Sequence, residues 1–272
     1  MLESVSGRGA ARSVESYRPP VIGQSEDLVR LLSEWPLPSG GRFGCYFIAD
    51  SSPYSDLARG VECGVFQQFF GNDPALMAAE YAQYEERSSF YVVVDCERHQ
   101  AAGALRVIEN SDRGLKTLND IAQPPLSISL EKVIHHHGIE DLDKCWDVGT
   151  VAVLKEYRGR SSGHLVSSLL YGLLRAGACN AGMKHMVAVL DTHAYQQIVD
   201  ILGVPFVPIA GSEPFEYLGS PSSIAVYAPT EMIGPSVAAR MQTLDSALLQ
   251  QLQPLFERVA YESKLPAVVQ VT

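Results

Sequence analysis

Residues 151–165, VAVLKEYRGRSSGHL, contain the feature that decides how this chain is interpreted. An apolar strand over Trp146–Leu154 is predicted to lead through a turn of small residues into a helix over Leu165–Ala181. The first N–H groups of a helix lack intrahelical partners and lie at the positive end of its dipole, so they favour an anion. Arg158 and Arg160 add positive charge beside the turn. The stretch therefore predicts a binding site for a diphosphate group.

The segments on either side of this turn predict an α/β fold with a partly parallel sheet. Two β-rich runs, Phe90–Asp95 and Ala101–Ile108, predict an antiparallel hairpin, and the length of their connection excludes a two-residue turn. Helices are predicted at 55–70, 74–86 and 194–202, with weaker helical patterns at 115–121 and 126–137. Further strands are predicted at 42–49, 186–190 and 224–227. The strand-helix-strand-helix order after the turn favours parallel pairing.

The chain is divided into three parts by composition. Residues 1–20 are rich in Gly and Ser and are predicted to be a disordered tail. Residues 21–232 form the main domain. Residues 233–272 form a C-terminal helical extension with leucines at three- and four-residue spacing, and we expect it to pack on the domain or on a partner.

Composition excludes several classes of protein. The formal charge of −10 over 272 residues argues against a protein that binds mainly nucleic acid, since neutralising phosphates needs clustered Lys and Arg. Neither an export signal nor an apolar stretch of membrane-spanning length is indicated, so a cytoplasmic location is expected. The five cysteines form no C-x-x-C pair and are interpreted as reduced and mostly buried.

The turn resembles the acyl-CoA signature of the GNAT acyltransferase superfamily, Arg/Gln-x-x-Gly-x-Gly/Ala. Arg158, Ser161 and Gly163 occupy its three defining positions, with Ser161 where the superfamily usually has glycine. The resemblance implies that the donor is bound by Val151, Val153, Arg158, Gly159, Arg160, Ser161, Ser162 and Gly163. It also implies that acyl-CoA or an acyl-phosphopantetheine is a co-substrate, with no cofactor bound permanently.

Three further segments resemble the branch that contains the acyl-homoserine-lactone synthases and the long-chain N-acyl amino acid synthases. They are Val65-Phe66, Gly103–Arg106 and Trp146–Val153. This likeness implies a GNAT-like mixed central sheet flanked by helices, splayed between two central strands where the thioester arm inserts. It also implies transfer of an acyl group from an acyl-CoA or acyl-carrier-protein thioester to an amino group, for example of an amino acid.

Acylation of an amine needs a base, a donor to the carbonyl oxygen and room for the acyl chain. Asp147 is the candidate base, since it stands where the synthase branch usually has glutamate. It has the alternative of capping the strand or pairing with Arg106, which is itself a candidate for positioning a carboxylate or bracing the site. Glu62 is a third candidate, on the acceptor side, with a solvated helix face as its alternative.

Other residues that invite a catalytic role fit it less well. Many GNAT enzymes use a tyrosine in the fourth helix as the acid, but Val199 occupies that place and Tyr195 has the wrong spacing. His135-His136-His137 is interpreted as a solvated loop rather than a metal site, because consecutive side chains cannot converge on one ion. His164 and His193 are interpreted as structural. No nucleophile motif is present, which favours direct transfer.

Three functions remain open from the sequence. The first is an N-acyltransferase acting on a small-molecule amine. The second is a catalytically inactive protein of the same fold that binds an acyl thioester or carrier protein as a sensor or partner. The third is an interaction protein that uses the C-terminal helix. Acyl chain length, the choice between CoA and carrier protein, and the oligomeric state are not decided.

Overall fold

The computed structural model describes residues 13–19, 25–37, 41–159 and 164–271. Its helices are α1 (Glu26–Glu34), α2 (Ser55–Phe70), α3 (Pro74–Tyr81), α4 (Lys116–Ile121), α5 (Leu130–His137), α6 (Leu165–Asn180), α7 (Thr192–Gln196), α8 (Thr230–Thr243) and α9 (Ser246–Ala260). Its strands are β1 (Phe43–Ala49), β2 (Ser88–Asp95), β3 (Gln100–Glu109), β4 (Cys145–Val153), β5 (His185–Asp191), β6 (Val207–Pro208), β7 (Phe215–Tyr217), β8 (Ser220–Pro229) and β9 (Val268–Val271).

Several helices begin where the sequence supplies a side chain that caps the free N–H groups. The Ser25 hydroxyl accepts from the N–H of Leu28 at the start of α1. The Asp73 carboxylate accepts from the N–H of Leu76 at the start of α3, where proline occupies the first turn. Such caps satisfy donors that the helix itself leaves unpaired, and they fix where these helices start.

The described strands form one mixed sheet in the order β6-β8-β5-β4-β3-β2-β1-β9, with β7 paired to β8. All pairs are antiparallel except β4 with β5 and β1 with β9. The predicted hairpin is present as β2 and β3. The predicted fold class, a mixed central sheet flanked by helices, is confirmed.

The two central parallel strands, β4 and β5, diverge after four paired positions. Their register runs from Cys145 opposite His185 to Val148 opposite Ala188. Beyond that point β4 stays paired with β3, while β5 stays paired with β8. The facing edges of β4 and β5 are therefore free of each other, and the expected splay is observed.

A β-bulge lies on β4 where the divergence begins. Arg106 of β3 pairs with Thr150 and the next residue, Val107, pairs with Val148, which leaves Gly149 as the extra residue. A Cβ at Gly149 would lie 3.2 Å from the Cδ of Arg106 and 3.1 Å from the Cδ1 of Ile108. The bulge is therefore tightly enclosed, and glycine fits there with the least displacement of its neighbours.

Helices cover both faces of the centre of the sheet. On one face, α2 packs on β3 and β4 in an apolar cluster that includes Leu57, Val61, Val65, Ala104 and Ala152. On the other face, α6 packs on β2 and β3, and α8 and α9 pack on α6. The cluster on this face includes Leu105, Val107, Leu169, Leu170, Leu173, Phe256 and Val259.

The C-terminal segment differs from the single helix that the sequence suggested. It forms two helices, because Asp245 caps α9 by accepting from the N–H groups of Ala247 and Leu248. Strand β9 then pairs in parallel with β1. Of the two expected packing partners, the domain or another protein, the structure shows α9 packed on α6 and α8 of the same chain.

Two other predicted segments also differ from the structure. Most of the tail predicted at 1–20 lies outside the described residues, but Val14–Tyr17 form a 3-10 helix and Tyr17 is fully buried. Its ring packs in an apolar cluster, which composition alone does not reveal. The helix predicted at 194–202 is instead α7 followed by a π-helix, Gln197–Ile201.

Cysteine burial follows the sequence interpretation in most positions. All five thiols are free; Cys45, Cys63 and Cys145 are buried, Cys96 is half-buried and Cys179 is exposed. Within the described ranges, no helix combines the length and apolarity needed to cross a membrane.

The contact between α6 and α9 can be tested at Gly172. A Cβ there would lie 2.6 Å from the carbonyl oxygen of Arg258 in α9. Alanine is the better helix former by about 1 kcal/mol, so any loss of stability reports the clash. We expect Gly172→Ala to lower the free energy of unfolding by about 1–3 kcal/mol in urea titrations. Cys179→Ala, at an exposed position of α6, is the control; equal stability of both variants would contradict the close packing.

Candidate active site

Two connected cavities flank the divergence of β4 and β5. We call one the turn lobe; it has a volume of about 550 Å³ and lies beside the turn that follows β4. We call the other the aromatic lobe; it has a volume of about 430 Å³ and lies beside α2. The two lobes share the wall residues Val151, Arg158, Tyr171, Ala194, Gln197 and Ile198. They are therefore two sides of one opening.

The turn lobe contains the described members of the predicted donor site. Val151, Val153, Arg158 and Gly159 line it, together with His164. The predicted donor residues Arg160, Ser161, Ser162 and Gly163 lie outside the described residues. The wall contributed by α9 consists of Leu248, Gln251, Leu252 and Leu255. The C-terminal extension thus supplies a wall of this lobe, which the sequence did not indicate.

Arg158 is held at the boundary between the two lobes. Its Nε donates to the carbonyl oxygen of Val153. Its guanidinium lies 4.1 Å from the ring centroid of Phe69, in a cation–π contact. Burial lowers its pKa, with Glu156 and Tyr171 acting in the opposite direction. Arginine still keeps its charge near neutral pH because its reference pKa is so high.

The aromatic lobe combines an apolar wall with a polar floor. Phe66, Phe69 and Phe70 of α2 form the wall, and the rings of Phe66 and Phe70 are 5.6 Å apart. The floor and the far end contain Tyr81, Gly149, Thr150, Asp191, His193, Tyr217, Ser220 and Ser223. The Tyr81 hydroxyl donates to the carbonyl oxygen of Gly149 over 3.0 Å. One side chain therefore ties α3 to the bulge.

Glu62 and Arg106 form a buried ion pair behind this floor. Both side chains are fully buried, and Arg106 Nη2 lies 2.8 Å from Glu62 Oε2. The solvated face considered for Glu62 is therefore wrong. The Thr150 hydroxyl donates to Glu62 Oε1. Since Thr150 lines the aromatic lobe and Glu62 does not, Thr150 connects the carboxylate to the cavity.

The same cluster extends to residues that the sequence analysis did not select. Arg106 also donates to Glu85 and to the hydroxyl of Tyr17, and Glu85 accepts from Arg59. Burial would raise the pKa of Glu85, but Arg106 and Arg59 hold it below its usual range. The guanidinium of Arg106 lies 4.0 Å from the ring centroid of Tyr81. With the hydrogen bond from Arg106 to the Ser88 hydroxyl in β2, residues from five elements fix the orientation of Arg106.

Asp147 is fully buried and lines none of these cavities. Its carboxylate accepts from the N–H and the hydroxyl of Thr117, in α4. Burial raises its pKa to about 6, although both hydrogen bonds from Thr117 act in the opposite direction. The alternative that Asp147 pairs with Arg106 is wrong, because Arg106 bonds to Glu62, Glu85, Ser88 and Tyr17.

A second polar cluster lies beside the aromatic lobe. Lys116 Nζ bonds to Asp120 Oδ2 and to the Tyr217 hydroxyl, each over 2.7 Å, and also to Glu80. Tyr217 in turn donates to Asp120 over 2.6 Å. Lys116 and Tyr217 are 101 positions apart in the chain, so no local pattern indicated this contact.

Tyr171 is a further residue that the sequence analysis missed. It is half-buried on α6 and lines both lobes. It also lines a third, apolar cavity of about 50 Å³, with Val148, Ala188 and Ile233 among its walls. Burial raises the pKa of Tyr171, while Arg158 lowers it. The sequence does place an aromatic residue, Tyr171, on the helix after the turn, but only Tyr195 was considered as a candidate acid.

The three consecutive histidines do not form the solvated loop that the sequence suggested. His135–His137 form the last turn of α5, and His137 Nε2 accepts from the N–H of Ala210. Over the described ranges, no three His, Cys, Asp or Glu side chains lie close enough to share a metal ion. His164 lines the turn lobe, and His193 lines the aromatic lobe.

Comparisons with known proteins identify the fold. No protein-family model matches the sequence, and no curated protein matches it. A solved CoA-dependent acyl-homoserine lactone synthase, with SAM and isopentyl-CoA, matches at a TM-score of 0.52 and 13% identity, over 84% of this chain and 93% of that chain. FeeM, an N-acyl amino acid synthase from uncultured soil microbes, matches at a TM-score of 0.54 and 14% identity, over 75% of this chain and 99% of that chain. The chain therefore shares the fold of these synthases, which agrees with the predicted resemblance.

The raised pKa of Asp147 predicts a pH dependence of stability. Its folded pKa of about 6 exceeds the unfolded value of about 3.9, so ionisation costs stability as pH rises through that window. Asn at this position can keep one bond to each Thr117 group. Between pH 4 and pH 8 we expect wild-type stability to fall relative to Asp147→Asn by about 2.5 kcal/mol, measured by urea denaturation.

Asp112→Asn provides the control for this measurement, because the Asp112 side chain is 87% exposed. The difference in free energy of unfolding between Asp112→Asn and wild type should be the same at each pH. Stability curves of wild type and Asp147→Asn that stay parallel over the whole range would contradict the assignment.

Proposed function

We propose that this protein is an N-acyltransferase that moves an acyl group from a CoA or acyl-carrier-protein thioester to the amino group of a small molecule. The observation that carries the proposal is the opening between β4 and β5. It joins a lobe beside the predicted phosphate turn to a separate lobe suited to an acceptor. The fold shared with two classes of acyl-transferring synthase supports the same reaction type.

The donor would occupy the turn lobe. Its diphosphate would lie against the turn that follows Arg158, and Arg158 supplies the positive charge. The amide groups of a phosphopantetheine arm can bond to the edge of β4 that β5 leaves free, along Gly149 to Val153. Pairing with a strand edge positions an extended arm without requiring particular side chains. In this arrangement Val151 and Val153 would bind the arm through their backbone and line the lobe with their side chains, without taking part in the chemistry.

The acyl chain would enter the small apolar cavity that adjoins the opening. Fourteen residues line this cavity, and nearly all of its surface is apolar. Val151, Tyr171 and Ile198 line it and also both lobes, so a thioester in the opening has direct access to it. Apolar burial would stabilise the bound acyl chain by about 0.8 kcal/mol per methylene group.

The acceptor amine would attack from the aromatic lobe. A C–N bond forms, the C–S bond breaks, and one proton must leave the nitrogen while the sulfur gains one. Thr150 touches the lobe and donates to Glu62, so the pair is suited to receive the amine proton through the hydroxyl. Tyr171 is suited to protonate the departing sulfur, since burial keeps its phenol in the protonated form.

Arg106 and Asp147 take supporting roles in this proposal. Arg106 holds Glu62 by an ion pair, and Asp147 holds α4 through Thr117. Neither lines a lobe, so neither would contact the reacting atoms. The burial of all three catalytic candidates also supports the second function, a protein that binds a thioester without consuming it.

Product analysis distinguishes the two functions. Purified protein incubated with mixed acyl-CoAs, acyl-carrier proteins and amines should give an N-acyl product by mass spectrometry, with release of free thiol. Arg158→Ala should raise KM for the donor by about tenfold because a charge-assisted contact is lost. Donor that binds in calorimetry but is never consumed would overturn the transferase and support the sensor.

The role of Thr150 gives a sharper test. Thr150→Val keeps the shape of the side chain but removes the hydroxyl that links Glu62 to the lobe. We expect kcat to fall by about 100-fold with little change in donor affinity. Thr150→Ser restores the hydroxyl and should restore most of the rate. Equal losses in both variants would indicate a packing role for Thr150 instead.

A further inference from the structure

The charges around the aromatic lobe bear on which amine it accepts, a question that rests on the proposed function. Asp191 lies at the end of β5 and lines this lobe. Its carboxylate accepts from the N–H of His193 over 2.9 Å and from the Ser220 hydroxyl over 2.7 Å. It is half-buried, and no Lys or Arg among the described residues forms an ion pair with it. The carboxylate is thus held in place at the cavity surface.

Positive charge is scarce at this surface. Arg158 is the only Lys or Arg among the described lobe residues, and its guanidinium donates to the carbonyl oxygen of Val153 and stacks on Phe69 of the aromatic wall. Lys116, behind the floor, is bound by Glu80 and Asp120, which leaves one negative charge in excess. The exposed His193 is engaged by Gln197. Among the described residues of the lobe, a carboxylate on the acceptor would therefore meet no cationic Lys or Arg side chain other than Arg158.

The aromatic wall points to the same class of ligand. Phe66, Phe69 and Phe70 present rings to a cavity that also holds a carboxylate. Ring faces attract cations, and the contribution grows when the cation is withdrawn from water. A carboxylate together with aromatic rings is a suitable environment for an ammonium group and an unfavourable one for a second carboxylate.

We propose that the acceptor is a small diamine, whose distal ammonium binds Asp191 while its other amine meets Thr150. Asp191 lies three residues beyond the last β5 position paired with β4, and Thr150 lies two residues beyond the corresponding position of β4. Both residues line the aromatic lobe, so a diamine that spans the lobe can contact both side chains.

Three acceptors of equal length test the charge preference of the full chain with its best acyl-CoA donor. They are 1,4-diaminobutane, butylamine and 4-aminobutanoate, which differ in carrying a positive, neutral or negative distal group. We expect kcat/KM of the wild type to be at least about tenfold higher for the diamine than for butylamine, and lowest for aminobutanoate. A preference for aminobutanoate or for amino acids would overturn the assignment.

Asp191→Asn tests whether this residue sets the preference. Asparagine keeps an oxygen that accepts from the N–H of His193, and its NH2 group can donate to the Ser220 hydroxyl, but it lacks the charge. The ratio of diamine to butylamine kcat/KM should fall to within twofold of one, whereas Asp200→Asn, at an exposed position outside the lobe, should keep the wild-type ratio. An unchanged ratio in Asp191→Asn overturns the assignment alone. A wild type that acylates no amine overturns the proposed function and this assignment with it.

Discussion

The loss of backbone pairing between β4 and β5 beyond Val148 is the constraint on which the rest of the site depends. A buried strand edge with unpaired N–H and C=O groups is costly unless water or a ligand bonds to it. Here each strand keeps a hydrogen-bonded partner on its outer side, β3 for β4 and β8 for β5. The two strands can therefore separate while each remains part of the sheet. The resulting opening is at once a structural defect of the sheet and the place where both lobes meet.

The buried ion pair of Glu62 and Arg106 serves this opening in an indirect way. Burying two charges is expensive, and their attraction offsets the cost only with good geometry and further hydrogen bonds. Thr150, Glu85 and Tyr17 provide those bonds. The same arginine stacks on Tyr81, which bonds to the carbonyl of Gly149. One cluster therefore fixes both residues of the bulge, Gly149 by its carbonyl and Thr150 by its side chain.

The sequence was sufficient for features determined by neighbouring residues. The hairpin β2–β3, the strand before the turn and the helix after it all follow from local apolar patterns, and the splay followed from the resemblance. The partners of Glu62 could not be predicted in this way, because Arg106 lies 44 positions away and no local pattern indicates which face of α2 is buried. The break between α8 and α9 did have a signal: Asp245 is a good N-cap residue inside the leucine pattern. The wall that α9 contributes had none, since it depends on long-range packing.

The position of α9 and β9 also affects how the protein is made. β9 pairs with β1, so one edge of β1 stays unpaired until β9 has been synthesised. A chain emerging from the ribosome folds from its N-terminal side first. The turn lobe, whose wall includes Leu248, Leu252 and Leu255, is then completed only after these residues of α9 have been synthesised. A nascent chain would thus acquire a complete wall of the turn lobe only when α9 has been translated.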